Sequence, residues 1–401
     1  MNVEIVKFDN NGRGIGYLNN KIIFVPKTVP GDIVKIQVTL EKKDYLEGIL
    51  VEILTPSKLR QKPICPYFDE CGGCDLMHIS LSESLEYKLK KVNDLLKRNK
   101  IDYEVTKIIK SKNAYNYRDK VTLKVVNNHI GFFCNDTHKL VKINYCYLCK
   151  DAINNLIKDL PLLNISNGEV VIRCNYNDEL LLSVNSLDKI ENIDTIVNNH
   201  KIVGIINNDK CVYGEDYFID KINNYLFKVS YNSFFQINPF ICSELFKLIE
   251  KYTVNSNNVL DLYSGVGTLS IVASNNSKKV LGVEIVNNAV IDANLNKCLN
   301  RCENVDFICS DTKNILNKIT SDFDTLILDP PRSGVANKVL NKILEVKPNK
   351  IIYVSCNPNT LVRDLKLLES DYSIKGLKLL DMFPETEHVE CIVLLSCKEN
   401  E

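Results

Sequence analysis

Cys356 lies in Ser355-Cys356-Asn357-Pro358, directly after the apolar run 350–354, and Glu390 lies in Glu387-His388-Val389-Glu390, directly before the apolar run 391–395. Taken singly, each has an ordinary explanation. A lone cysteine is most often a buried, inert thiol, and a carboxylate entering a strand is most often solvated. Position changes that weighting. A strand that delivers a thiol to a sheet edge, just ahead of a helix start at Asn359-Thr360, puts it in the partial positive charge of the helix N-terminus, which favours an activated thiolate. A thiolate and a carboxylate on one cleft can perform covalent catalysis on an electron-poor ring, the first adding to carbon and the second removing a proton.

A second group of residues suits a small ligand. Asp261-Leu262-Tyr263-Ser264-Gly265-Val266-Gly267-Thr268 follows an apolar run and opens a helical segment. Its two glycines let the backbone approach a ligand at a helix N-terminus. Glu284 ends the next apolar run, where a carboxylate can take both hydroxyls of a ribose. Nicotinamide enzymes share both features. The acid before the turn and the lack of a third phosphate-binding glycine suit a ligand with a charged amino acid and no pyrophosphate, such as S-adenosylmethionine. Asp311 and Asp329-Pro330-Pro331-Arg332 stand at the ends of the following strands. An Asp-Pro-Pro turn there is frequent in methyltransferases acting on planar nitrogenous rings.

A methyl donor gives the Cys–Glu pair a definite task. Carbon 5 of uracil is a poor nucleophile, but a thiolate added to carbon 6 makes an enolate that can attack a sulfonium methyl. A base must then remove the hydrogen on carbon 5 so that the thiolate leaves. That step needs no metal.

A third cluster is made of thiols. Cys65, Cys71 and Cys74 fall within ten residues, Cys146 is a distant fourth and Cys149 its rival. Spacing alone allows either zinc or an iron–sulfur cluster, and Gly72-Gly73 would let backbone amides approach cluster sulfides. Fifteen cysteines in a chain without a signal-peptide pattern point to a reducing, cytoplasmic setting rather than a disulfide framework. No apolar run reaches the length of a membrane span.

The elements that must position these groups divide 401 residues into three regions. Residues 1–55 alternate in short stretches split by Gly- and Asn-rich turns, as in a small OB-like β-barrel. Residues 56–230 carry the cysteines, a helix over about 80–99 with Ser80 or Ser82 as cap, and a mixed α/β insert; the helix is expected to pack on the catalytic domain. Residues 231–401 alternate apolar strands and helices, the pattern of a doubly wound, Rossmann-like α/β sheet whose carboxyl edge holds the ligand. Net formal charge is zero, yet residues 83–120 hold eleven Lys/Arg against six Asp/Glu. Such a run is either a solvated helix face or a phosphate-facing one.

With these residues in view, a resemblance emerges. Gly12-Arg13-Gly14-Ile15-Gly16 and Pro30-Gly31-Asp32 resemble the TRAM domain of RNA-modifying enzymes. Ser-Cys-Asn-Pro, His-Val-Glu, Asp-Pro-Pro-Arg and Phe234-Phe235-Gln236-Ile237-Asn238 together resemble the bacterial RNA uracil-C5 methyltransferases of the 23S ribosomal RNA type, over nearly the whole chain. The resemblance implies Cys356 as nucleophile and Glu390 as base. It also implies Gln236, Tyr263, Thr268, Glu284, Asp311 and Asp329 around S-adenosylmethionine and the target base; Thr268 stands where relatives often carry Asn. It implies a [4Fe–4S] cluster on Cys65, Cys71, Cys74 and Cys146, and a flipped-out or unpaired uridine as substrate, with Phe234 and Phe235 as candidate stacking surfaces. The expected partner is RNA, with large-subunit ribosomal RNA placed ahead of the transfer RNA T-loop because the barrel and cysteine segment suit a longer RNA. No obligate protein partner is expected. The rivals are a cytosine-C5 enzyme, whose nucleophile usually follows proline, and a non-catalytic RNA-binding scaffold.

Overall fold

The computed structural model describes residues 1–135, 137–315, 320 and 322–400. The first five strands, β1 (Asn2–Phe8), β2 (Gly14–Leu18), β3 (Lys21–Val25), β4 (Ile33–Glu41) and β5 (Tyr45–Thr55), close into a barrel in the order β1-β2-β3-β5-β4. Val3, Ile5, Ile23, Val25, Val34, Ile36 and Leu46 fill its interior, as the period-2 pattern requires. A Cβ on Gly16 would stand 2.3 Å from the Val3 side chain, so this glycine lets β2 lie close on β1.

Helix α1 (Leu81–Arg98) begins at Ser80, whose hydroxyl accepts from the Glu83 amide at 3.2 Å. Its Val92, Leu95 and Leu96 enter the core of the catalytic sheet. Lys88 is fully buried: its ammonium donates to Asp381 Oδ1 at 2.6 Å and to the Phe383 carbonyl at 2.9 Å. Lys91 pairs with the Glu387 carboxylate and donates to its carbonyl at 3.0 Å. These two cations of the basic run therefore face inward and tie α1 to the segment that leads into Glu390. They do not face phosphate.

After α1 come β6 (Ile108–Ile109), then β7 (Lys120–Val126), β8 (His129–Phe133), β9 (Leu140–Lys142), α2 (Asp151–Asp159), β10 (Gly168–Cys174), β11 (Leu180–Asn185), α3 (Ile193–Asn199), β12 (Ile202–Asn207) and β13 (Lys210–Gly214). Strands β7 to β13 form a seven-stranded sheet, and α2 covers its apolar face with Ile153, Leu156 and Ile157. A hairpin, β14 (Tyr217–Ile222) and β15 (Tyr225–Ser230), leads into the last region.

That region runs α4 (Pro239–Thr253), β16 (Ser256–Leu262), α5 (Thr268–Ser274), β17 (Ser277–Glu284), α6 (Asn287–Leu299), β18 (Val305–Cys309), β19 (Thr325–Leu328), α7 (Asn337–Val346), β20 (Lys350–Ser355), α8 (Pro358–Leu368), β21 (Tyr372–Leu380) and β22 (Glu390–Cys397). Its eight-stranded sheet has the order β18-β17-β16-β19-β20-β22-β21-β6. Both faces are covered. Along β20, Ile351 and Tyr353 pack toward α1, α7 and α8, while Ile352 and Val354 pack toward α4, α5 and α6. Two-sided burial explains the uninterrupted apolar runs. The chain winds one way from β16 through β18 and the other way from β19, so β16 and β19 flank the switch point where ligands bind. Strand β22 is antiparallel to β20 and β21. Among the described residues no helix is long and apolar enough to cross a membrane.

Candidate active site

The antiparallel pairing of β22 brings the two candidate catalytic residues together. Ser355 at the end of β20 stands opposite Cys391, which places Cys356 beside Glu390 at the same sheet edge. The strand beginning at Glu390 therefore meets the loop ends of the parallel strands. Cys356, Glu390, Gln236, Tyr263, Thr268, Glu284, Asp311 and Asp329 all line one cleft of about 710 Å³.

The ligand turn is shaped by backbone geometry. Tyr263 adopts φ +70°, a left-handed conformation rare for an aromatic residue, fixed by its amide and that of Ser264 donating to the Val283 carbonyl at 2.9 and 3.0 Å. Gly267 has φ +84°, and a Cβ there would meet the Phe307 ring at 2.6 Å. The Glu284 carboxylate is oriented by amides of Gly265, Ile285 and Val286 at 2.8–3.0 Å, which leaves lone pairs free for ribose hydroxyls. Asp261 Oδ2 accepts from Ser270 at 2.6 Å, while Asp261 Oδ1 and Ser264 Oγ are buried without partners among the described residues. A turn that ends in unsatisfied polar atoms fits a ligand with several hydrogen-bonding groups.

Opposing electrostatic influences meet at Cys356. Burial, with the carboxylates of Glu390 and Asp329 adding repulsion, pushes the Cys356 thiol up to about 11. Arg332, which lines the same cleft from the Asp-Pro-Pro-Arg turn, opposes this shift. Its carbonyl accepts from Asn357 Nδ2 at 2.8 Å and Thr360 Oγ1 at 3.2 Å, which fastens that turn to the head of α8. Glu390 is 2% exposed, and burial followed by Asp329 raises it well above the usual carboxylate range. Burial lifts Asp329 itself to about 7.

An acid raised in the folded state costs stability as pH climbs from the ordinary carboxylate value toward the raised one. Asp329→Asn should therefore raise the melting temperature by roughly a few degrees at pH 8 and by much less at pH 5, while losing activity. Equal gains at both pH values, read by scanning calorimetry, would count against a buried, protonated Asp329.

Sequence reasoning treated the two aromatics alike, but the structure separates them. Phe235 is buried in the core against Phe227, whereas Phe234 is 68% exposed at the cleft. The cleft also holds Arg118, Lys120, Thr122 and Phe383, which sequence reasoning missed. Arg118 and Lys120 lie in the basic run, the one signal that could have found them.

Cys65, Cys71, Cys74, Cys146 and Cys149 surround a second cavity, which shares Arg118 with the first. Among the described residues no three His, Cys, Asp or Glu stand close enough to share a single metal ion. Gly73 donates its amide to Cys71 Sγ at 3.3 Å. Gly72 serves another purpose: a Cβ there would meet Asn135 Oδ1 at 2.4 Å, so it admits the neighbouring loop. Lys27 stacks over Phe68 at 3.9 Å and donates to the carbonyls of Cys71 and Cys74. The thiol segment braces the catalytic side too. The amides of Asp75 and Leu76 donate to the Glu385 carbonyl at 3.0 and 3.1 Å, and Asp75 Oδ2 accepts from the Glu387 amide at 3.1 Å.

A doubly wound sheet with this turn at its switch point and a Cys–Glu pair at its edge defines an S-adenosylmethionine-dependent methyltransferase. The chain belongs to the tRNA (uracil-5-)-methyltransferase family, whose profile matches residues 80–398, and a TRAM domain profile matches residues 1–51. Uncharacterized RNA methyltransferases of Clostridium tetani and Aquifex aeolicus are 33% and 32% identical to it, covering 98% and 100% of this chain and 96% and 99% of their own. The solved tRNA (uracil-54, C5)-methyltransferase of Pyrococcus abyssi, in complex with S-adenosyl-L-homocysteine, superposes with a TM-score of 0.80 at 26% identity, covering 98% of this chain and all of that one. The protein is thus an RNA-directed enzyme of the uracil-5-methyltransferase family that uses S-adenosylmethionine.

Proposed function

We propose that the enzyme methylates carbon 5 of a uridine in RNA through a covalent bond between Cys356 Sγ and carbon 6. The carrying observation is Cys356 opposite Glu390 on the cleft that also holds the ligand turn. S-adenosylmethionine supplies the methyl group; Gln236, Tyr263, Thr268, Glu284, Asp311 and Asp329 would surround it and the target base. Arg332 is the cation placed to favour the thiolate, and Glu390, strongly basic once ionised because it is buried, takes the hydrogen from carbon 5. The exposed Phe234 ring offers a stacking face for an extruded base.

For the substrate we put a loop uridine of large-subunit ribosomal RNA first, as the barrel and thiol segment extend the surface available to a long, irregular RNA. The second reading is a transfer RNA uridine. It is favoured by the Pyrococcus abyssi enzyme, whose likeness spans 98% of this chain, so the barrel by itself does not separate the two. Methyl transfer to unmodified transcripts of each RNA distinguishes them. On the first reading, removing residues 1–55 raises the KM for ribosomal RNA about tenfold or more through lost phosphate contacts, while a short loop oligonucleotide keeps its kcat. Methylation of transfer RNA alone would overturn the first reading and leave the mechanism standing.

For the thiol site we propose a [4Fe–4S] cluster on Cys65, Cys71, Cys74 and Cys146. What supports the reading is the donor chemistry: Cys65, Cys71, Cys74 and Cys146, with Cys149 as the rival fourth ligand, line one cavity.

A further inference from the structure

A chain of polar contacts runs from the buried face of α1 to Arg332, on the cleft that holds Cys356. Lys91, almost fully buried, pairs with one oxygen of Glu387. The other oxygen, Oε1, lies 2.8 Å from His388 Nδ1. His388 Nε2 lies 3.3 Å from Arg332 Nη2, and Arg332 lines the same cleft as Cys356 and Glu390, where its charge acts on both. Arginine can only donate, so Nε2 must carry the lone pair and Nδ1 the hydrogen, donated to Glu387. Donor and acceptor thus alternate correctly from Lys91 to Arg332.

We propose that Glu387 and His388 are positioning residues that hold the Arg332 guanidinium against Cys356 and Glu390, with Lys91 as their buried anchor. Arg332 sits on an exposed turn, and a long side chain there gives up considerable rotamer freedom to stay at one thiol. His388 reduces that freedom by fixing one end of the fork. Glu387 in turn fixes the imidazole's orientation and tautomer. Burial alone would raise Glu387, but His388 and Lys91 outweigh it and hold the carboxyl down to about 2, so the anchor stays ionised across the working range. The Phe383 ring meets His388 edge-on at 5.9 Å and limits its swing. The charged groups facing His388 are Glu387, Arg332 and Asp75; those facing Cys356 are Glu390, Asp329 and Arg332. Protonating His388 would replace its acceptor with a donor and break the chain at Arg332.

The inference rests on Cys356 as nucleophile, and its test is a double-mutant cycle on the full-length protein. Site-specific alkylation of Cys356 by iodoacetamide, followed by peptide mass spectrometry between pH 7 and 10, reports the thiolate without RNA or methyl donor. His388→Ala should slow alkylation at pH 8 by about three- to tenfold and displace the profile to higher pH. Glu387→Gln should do the same to a smaller degree. Arg332→Ala should be as slow as His388→Ala or slower. The double variant Arg332→Ala/His388→Ala should match Arg332→Ala within about twofold, since the histidine acts only through the arginine. In saturating single turnovers, His388→Ala should lower the rate and leave the KM for S-adenosylmethionine unchanged. Additive effects in the double variant, or a silent His388→Ala, would overturn the proposal. A wild type that shows the coupled alkylation but methylates no RNA would sink the functional reading alone.

Discussion

Replacing Glu390 by Gln should leave methylated RNA attached to the protein. The glutamine keeps the shape of the buried side chain but cannot accept the hydrogen from carbon 5. Addition of Cys356 and transfer of the methyl group can still occur; elimination cannot. An RNA–protein species that survives denaturing electrophoresis should accumulate, and it should carry the labelled methyl group. Turnover should fall by about a thousandfold or more, the upper range for loss of a general base. Cys356→Ala is the companion experiment: no adduct, no methyl transfer, and retained S-adenosylmethionine binding, since the ligand turn lies on β16 and β17. The environment of Glu390 supports this division of labour. Its burial and the nearby Asp329 disfavour its charged form, which makes it a strong proton acceptor once ionised. An adduct with Glu390→Gln that lacks the methyl group would show that this residue acts before transfer.

Loss of the thiol site should reach the chemistry as well as the fold. Protein purified without oxygen should be brown and contain iron and sulfide, and Cys71→Ser or Cys74→Ser should bleach it. The structure adds a direct route to catalysis, because Asp75 and Leu76, next to Cys74, hold the backbone of Glu385 and Glu387. That segment carries Glu390 at its end. A bleached variant should therefore lose stability and show a lower kcat, by about tenfold or more, on RNA it still binds. Stoichiometric zinc without iron, or a bleached variant with full kcat, would remove the assignment or the coupling respectively.

The sequence carries much of the fold because two-sided burial writes itself into apolar runs. Strands β16 to β20 and the cap at Ser80 are readable one element at a time. Strand β21 is harder to see, as Lys375, Gly376 and Lys378 interrupt its apolar pattern and its pairing with β22 shifts register between Ile374 and Gly376. What local pattern could not supply is juxtaposition. Cys356 and Glu390 are 34 residues apart, and only the antiparallel register of β20 and β22 shows why one ends a strand while the other begins one. The inward turn of Lys88 and Lys91 is equally invisible, since a lysine on an amphipathic helix normally points to water. The surroundings of Cys356 are hidden for a related reason. A helix N-terminus is legible in sequence, but the burial and the neighbouring Glu390, Asp329 and Arg332 come from other parts of the chain.

The central claim is that the hydrogen on carbon 5 of a uridine is exchanged for a methyl group through Cys356. RNA bearing tritium at carbon 5 of its uridines, incubated with enzyme and S-adenosylmethionine carrying a carbon-14 methyl group, measures both halves of that exchange at once. The account predicts one tritium released to water for each methyl group incorporated, with both lost in Cys356→Ala. Methyl incorporation with the tritium retained, or undiminished release by Cys356→Ala, would contradict it.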